Sequence, residues 1–477
     1  MKFYRGTIPF RLIELGLACI LVFSCRSNRV ETGMLILTEA PGKINSQDFY
    51  SGVSTGYFRG ARISAIIPDQ TSSQKILTND FYSACSPDIS YDGRSMLFAA
   101  QEKQDEVWQI WEMNLGNLKC RKITSSEENC TDPAYLPGGR MVFSKLTVND
   151  TVKTAHCLFT CNLDGSGLRQ ITFSPADNLA TTVLNDGRLL TVNRQLLPVK
   201  RDPLLMVMRP DGTKADMFYR SNEGKLLISS AYETPDGKLV FIESGIDNNS
   251  ESDLVSVTYN RPLHTRTVLT SGIDGDFCSV MPVSKDKYYV SCRKSDSETF
   301  ALYEFDPENK MVGQMIFSDP GYSIIDAFLV EEYERPKKLP SEVDMEVKTG
   351  LLLCQDINFL DTGLKSDYSG SRKALKIEVL GVDTTYGVVQ AEEDGSFQLK
   401  VMADTPFSIR TLDEKGNIVN GPCSWLWLRP NERRGCVGCH EDPEMVPENI
   451  VSLAIKKSPV IIPVHITDVK EKIVELE

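Results

Sequence analysis

The sequence predicts an all-β protein: a β-propeller of six blades, or seven, followed by a small β-sandwich and a short C-terminal segment. The first observation behind this is a repeat. Tight turns centred on residues 93, 139, 187, 237 and 286, spaced 46, 48, 50 and 49 apart, each precede a β-rich apolar run. The second is an apolar–Thr pair that recurs in the same period, at Leu77-Thr78, Ile123-Thr124, Ile171-Thr172 and Leu269-Thr270. The third is a change near residue 347, where the repeat gives way to plain apolar–polar alternation. Four short strands per unit of this length form one propeller blade, which cannot bury both faces alone and must stack around an axis.

The first element, residues 1–24, reads as a signal peptide. Lys2, Arg5 and Arg11 precede Leu15 to Phe23, a nine-residue apolar or small run. That is too short for a bilayer span of about 20 residues and fits the apolar part of an export signal. Ser24-Cys25 then resembles a bacterial lipobox. The resemblance implies cleavage before Cys25 and lipidation of Cys25, which would tether the chain to a membrane of the cell envelope. Arg26 stands where an inner-membrane retention signal would have Asp, so the expected address is the outer membrane, on its periplasmic face or at the cell surface. Formal charge is −13, from 52 basic and 65 acidic residues. Such a balance lacks the basic face that displaces phosphate counterions, so no nucleic-acid partner is expected. Thirteen cysteines point to an oxidising compartment or to covalent chemistry on sulfur.

Residues 25–334 hold the propeller. Five units are plain between about 81 and 320, and residues 33–37 with 62–78 supply most of another. Its missing inner strand is expected from residues 324–330, closing the ring by pairing the chain's end with its start. Pro87-Asp88 to Arg94 resembles the Pro-Asp-x-x-x-Asp-Gly-Arg pattern of TolB-like propellers. Cys85, Cys130 and Cys278 occupy equivalent places at the start of the innermost strand. They read as buried small residues, with a Cys85–Cys130 disulfide or a soft-metal site as alternatives. The propeller's scattered Asp and Glu residues read as solvated loop faces.

Residues 335–346, with Pro336 and Pro340, form a linker. Residues 347–430 alternate as a sandwich, where Cys354 and Cys423 are a candidate disulfide. The last element, 431–477, contains Cys436-Val437-Gly438-Cys439-His440. This CxxCH run matches the c-type haem attachment pattern: two thiols for the haem vinyl groups and an adjacent imidazole for the iron. Zinc on the same three side chains, or a plain Cys436–Cys439 disulfide, are the competing readings.

Ser424-Trp425-Leu426-Trp427-Leu428-Arg429-Pro430-Asn431-Glu432-Arg433-Arg434-Gly435, running into that motif and Glu441, resembles the haem segment of the hydrazine synthase alpha-subunit middle-domain family. Glu393 to Phe397, Ala403 to Pro406 and Leu412-Asp413 match the sandwich ahead of it, and relatives commonly place a TolB-like propeller first. The resemblance implies one covalent haem c on Cys436 and Cys439, with His440 as proximal iron ligand. Asn431 departs from the usual Gly, and no second CxxCH follows His440. The expectation is therefore a single-haem relative and not a hydrazine-forming enzyme.

For the second axial position the candidates are His465, His264, His156 and Met445, with His465 best placed because 25 residues allow the chain to return. Arg433 and Arg434 are candidates for the haem propionates, since a guanidinium matches a carboxylate fork. Trp425 and Trp427 read as sandwich strand residues near the haem edge. The expected function is electron transfer to or from a redox partner protein. The alternatives are a propeller-based scaffold that binds a protein or glycan, and a haem enzyme acting on a small nitrogen or oxygen species.

Overall fold

The structure is a computed structural model that describes residues 29–45, 59–68, 70–246, 252–359, 373–438 and 451–463. The signal peptide, Cys25, Cys439, His440, Met445 and His465 lie outside these residues. Among the described residues no helix is long and apolar enough to cross a membrane.

Among the described residues, six antiparallel sheets precede the linker. Blade 1 runs outward from the axis as Tyr322–Leu329, Leu35–Pro41, Arg62–Ile67 and Gln70–Ile76. Its innermost strand therefore comes from the far end of the propeller and pairs Leu35 with Leu329 and Leu37 with Ala327, as the repeat predicts. Blade 2 begins with Ser83–Ile89, blade 3 with Cys130–Leu136, blade 4 with Ala176–Val183 and blade 6 with Asp276–Ser284. Blade 5 has a broken inner edge: Lys225–Leu227 and Tyr232–Glu233 both pair with Lys238–Gly245.

The period-2 alternation of each strand sends side chains to the two neighbouring blades. Met96 and Phe98 of blade 2 pack with Ile36 and Ile63 of blade 1, while Leu97 and Ala99 pack with Met141 and Phe143 of blade 3. The same arrangement continues around the ring and ends with Tyr289 and Leu302 of blade 6 against Leu35 and Leu37 of blade 1.

The apolar–Thr repeat has a single structural cause. Thr78, Thr124, Thr172 and Thr270 are buried, and their hydroxyls accept the backbone N–H of Ile63, Ile110, Leu158 and Leu254 at 2.9, 2.8, 2.9 and 3.1 Å. The preceding Leu77, Ile123, Ile171 and Leu269 donate their own N–H to the carbonyls of those same four residues. Each pair thus satisfies both backbone groups of one third-strand residue where the outer strand has stopped.

The linker crosses the propeller over the turns of blades 2 to 4. Tyr333 N–H donates to Tyr91 O, Lys337 N–H donates to Asn185 O, and Lys338 Nζ lies beside Gly138. Gly187 is required here: its φ is +89°, and a Cβ would lie 2.0 Å from Lys337 O.

Two four-stranded sheets follow among the described residues. One has the order Arg433–Gly438, Thr349–Asp356, Phe397–Met402, Val460–Ile461, and the other Thr385–Gln390, Lys376–Leu380, Ser408–Leu412, Ile418–Asn420. Leu352, Ile377, Val379, Leu399 and Ile409 fill the space between them. The Cys436 segment is thus built into the sandwich: Arg433–Gly438 forms an edge strand parallel to Thr349–Asp356.

Trp425 and Trp427 do not lie in sandwich strands. Trp425 donates its indole N–H to Leu197 O of blade 4 at 2.6 Å, and Trp427 sits among Leu136, Val142, Leu189 and Met208 of blades 3 and 4. They anchor the sandwich to the propeller.

Candidate functional site

The CxxCH segment enters along its edge strand. Cys436 stands opposite Cys354 and Gly438 opposite Asp356 in parallel register. Cys354 is buried, whereas Cys436 is half-buried. A half-buried thiol on an edge strand suits addition to a haem vinyl group, so the described half of the motif fits the cofactor. Gly438 lies against the next loop, where a Cβ would come within 2.2 Å of Phe359 O. The small residue between the two motif cysteines is therefore a packing requirement.

The strand is aimed by the turn before it. Glu432 N–H donates to Arg429 O, with Pro430 and Asn431 between. Asn431 has φ +66°. Proline second and a left-handed residue third is the type II turn pattern, and Asn is among the few non-glycine residues that tolerate that φ. The departure from the family's Gly thus keeps the turn.

Glu432 is 3% exposed. It accepts Lys214 N–H of blade 4 at 2.8 Å, Arg429 N–H at 2.7 Å and Arg434 Nη2 at 2.8 Å. Arg429 in turn bonds Asp404 at 2.5 Å and Asp211 O at 2.9 Å and lies over the Phe173 ring. The Arg-Pro-x-Glu-Arg run is therefore a clamp that fixes the Cys436 strand to the propeller. Arg434 is engaged in that clamp, while Arg433 is exposed.

Of the described candidate histidines, His156 lies in the blade 3 strand Lys153–Asn162, buried, with Nδ1 2.9 Å from Asp177 Oδ1. His264 is on an exposed turn of blade 5.

The Cys354–Cys423 and Cys85–Cys130 disulfides are not formed. Cys423 Sγ instead accepts Ile409 N–H at 3.2 Å. Cys85, Cys130 and Cys278 are buried, and burial pushes each thiol up, which holds it protonated. Among the described residues no group of three or more His, Cys, Asp or Glu side chains is placed to hold a metal ion, so the three thiols form no soft-metal site.

A second site escaped the sequence reading. A cavity of about 320 Å³ occupies the propeller axis, lined by Asp88, Asp132, Asp326, Tyr232 and Tyr333, which leads into the linker. These aspartates are not solvated loop faces. Asp88 accepts Tyr135 N–H from the next blade at 2.7 Å. Asp132 accepts Ser86 Oγ at 2.9 Å and Ala180 N–H at 3.2 Å, joining blades 2, 3 and 4. Desolvation pushes Asp88 up to about 7, partly opposed by the Tyr135 N–H. Desolvation and the Asp132 charge push Asp326 up to about 7 as well, and desolvation raises Asp132. The available signal was positional: 88 and 132 follow Cys85 and Cys130, already aligned as innermost strands.

Residues 356–441 match the family described as the hydrazine synthase alpha subunit middle domain. Hydrazine synthase subunit alpha of Kuenenia stuttgartiensis is 21% identical over 533 residues, covering 85% of this chain and 65% of the relative. The chain thus spans just under two thirds of the length of the curated relative it matches. The solved Kuenenia stuttgartiensis hydrazine synthase superposes with a TM-score of 0.76 at 19% identity, over 90% of this chain and 71% of that one. TolB from Acinetobacter baumannii is also similar, with a TM-score of 0.45 at 12% identity over 68% of this chain and 73% of that chain.

Proposed function

We propose that this chain, a relative of the hydrazine synthase alpha subunit, is an exported, lipid-anchored c-type haem protein that passes single electrons to or from a partner protein. The observation that carries this reading is the Cys436 edge strand. It begins a CxxCH motif, leaves its first thiol half-buried, and is clamped to the propeller through Glu432. Cys436 and Cys439 would hold the haem and His440 would bind the iron. Arg433, exposed at the start of the strand, is the propionate candidate that remains uncommitted after Arg434 pairs with Glu432. The haem supplies one-electron redox chemistry when bound; the protein's part is to hold the motif strand rigid between two domains.

The test is a haem-stained denaturing gel of the exported protein, matured in cells that assemble c-type cytochromes. A stained band that disappears in Cys436→Ala/Cys439→Ala is expected. No stain, beside a matured control cytochrome from the same cells, overturns the reading. Cys25→Ser should move the protein from the membrane fraction to the soluble fraction, and retention in the membrane would overturn the anchor.

A propeller-based binding role is the second reading, and the axial cavity favours it. Its carboxylates and tyrosines suit a polar ligand or an inserted partner side chain.

A further inference from the structure

A separate cavity of about 140 Å³ lies in the seam between blade 4 and the sandwich. Two of the side chains lining it, Gln195 and Trp427, are 7% and 1% exposed, and each has one polar atom without a hydrogen-bond partner. In Gln195 that atom is the acceptor Oε1, because Nε2 already donates to Val199 O at 3.3 Å. In Trp427 it is the donor Nε1. A buried polar atom left unpaired is destabilising, and native proteins rarely leave two beside one cavity. A single water needs only about 10–15 Å³ of such space, so the cavity exceeds what one bridging water would fill.

We infer that this seam is a binding site for a small uncharged molecule with a hydrogen-bond acceptor and an N–H or O–H donor on one compact skeleton, of the primary-amide class. The acceptor would take the Trp427 N–H, and the donor would satisfy Gln195 Oε1. Trp425, Met206 and Leu426 supply apolar walls. Of the charged residues that line it, Arg434 is paired with Glu432, and Arg201, Asp202 and Asp216 are exposed, where solvent screens them. Neither an anion nor a cation is therefore favoured by charge. Trp425 is fixed by its bond to Leu197 O, and Arg201 reaches across to Pro422 O at 3.2 Å, so both domains build the walls. The site stands independently of haem attachment.

The experiment titrates the full chain with acetamide, acetate and ethylammonium and follows each by saturation-transfer NMR. Acetamide should bind saturably, about tenfold more tightly than either charged probe. Gln195→Leu and Trp427→Phe should each weaken acetamide about tenfold, the loss expected for one hydrogen bond of about 1.4 kcal/mol. Thermal melts establish that the variants fold. Gln195→Glu adds a second check: it keeps an acceptor but adds a negative charge, so it should turn the preference toward ethylammonium. Absence of saturable acetamide binding, a charged probe binding best to the parent chain, or acetamide affinity unchanged in both Gln195→Leu and Trp427→Phe would overturn the inference.

Discussion

Glu432 gathers three donors on one buried carboxylate: two backbone N–H groups and the Arg434 guanidinium. Removing one partner of a buried pair leaves the other charge and the amides unpaired, a loss of about 3–5 kcal/mol. Glu432→Ala should therefore lower stability by that order, and Glu432→Gln, which keeps an acceptor oxygen, by less. Calorimetry should also show the sandwich melting apart from the propeller in Glu432→Ala, because Lys214 N–H belongs to blade 4. A single transition at the parent temperature would contradict the clamp. Nothing local in the sequence marks this role. Glu432 and Lys214 are 218 residues apart, and a Glu beside two arginines reads equally well as a solvated surface group. The same applies to Asp326, whose neighbours come from blades far away in the chain.

At the level of elements, what repeats was legible and what occurs once was not. The turn spacing and the apolar–Thr pairs recur because each blade must solve the same backbone problem at its outer edge, so their period shows without coordinates. Ring closure by Tyr322–Leu329 was legible for a related reason: the first unit lacked an inner strand and the last residues of the propeller had no other partner. The Cys436 strand was missed because a parallel partner about 80 residues away leaves no turn signal between them. Trp425 and Trp427 were misplaced because alternation reports that a side chain is buried, not which domain buries it. The repeat's logic can be tested in one blade. Thr124→Val keeps the shape but removes the acceptor for Ile110 N–H, so it should cost about 1–3 kcal/mol. Amide exchange at Ile110 should rise while that at Ile63, served by Thr78, stays unchanged. Equal protection at Ile110 in variant and parent would show that the ladder alone suffices.

The whole propeller is exposed to pH through its axis. Asp88, Asp132 and Asp326 line a cavity shared with Tyr91, Tyr232, Tyr333 and Glu233, and the linker passes over the turns of blades 2 to 4 beside it. Desolvation holds Asp88 and Asp326 up to about 7, well above the ordinary carboxylate value. Between about pH 4 and 7 the unfolded chain has released these protons while the folded chain still binds them. The folded state then carries more protons, so stability falls as pH rises through this window and levels off above it. Asp326 contributes by burial and by its proximity to Asp132, without a backbone N–H to offset either. Asp326→Asn keeps the shape and cannot ionise. Its melting temperature should match the parent near pH 4 and exceed it by a margin that grows to about pH 7.5. A constant difference across that range would mean that Asp326 titrates normally and that the axis is open to water. A margin that grows with pH would mean that closing the ring and laying the linker over blades 2 to 4 seals the carboxyls together, a property that no single blade possesses.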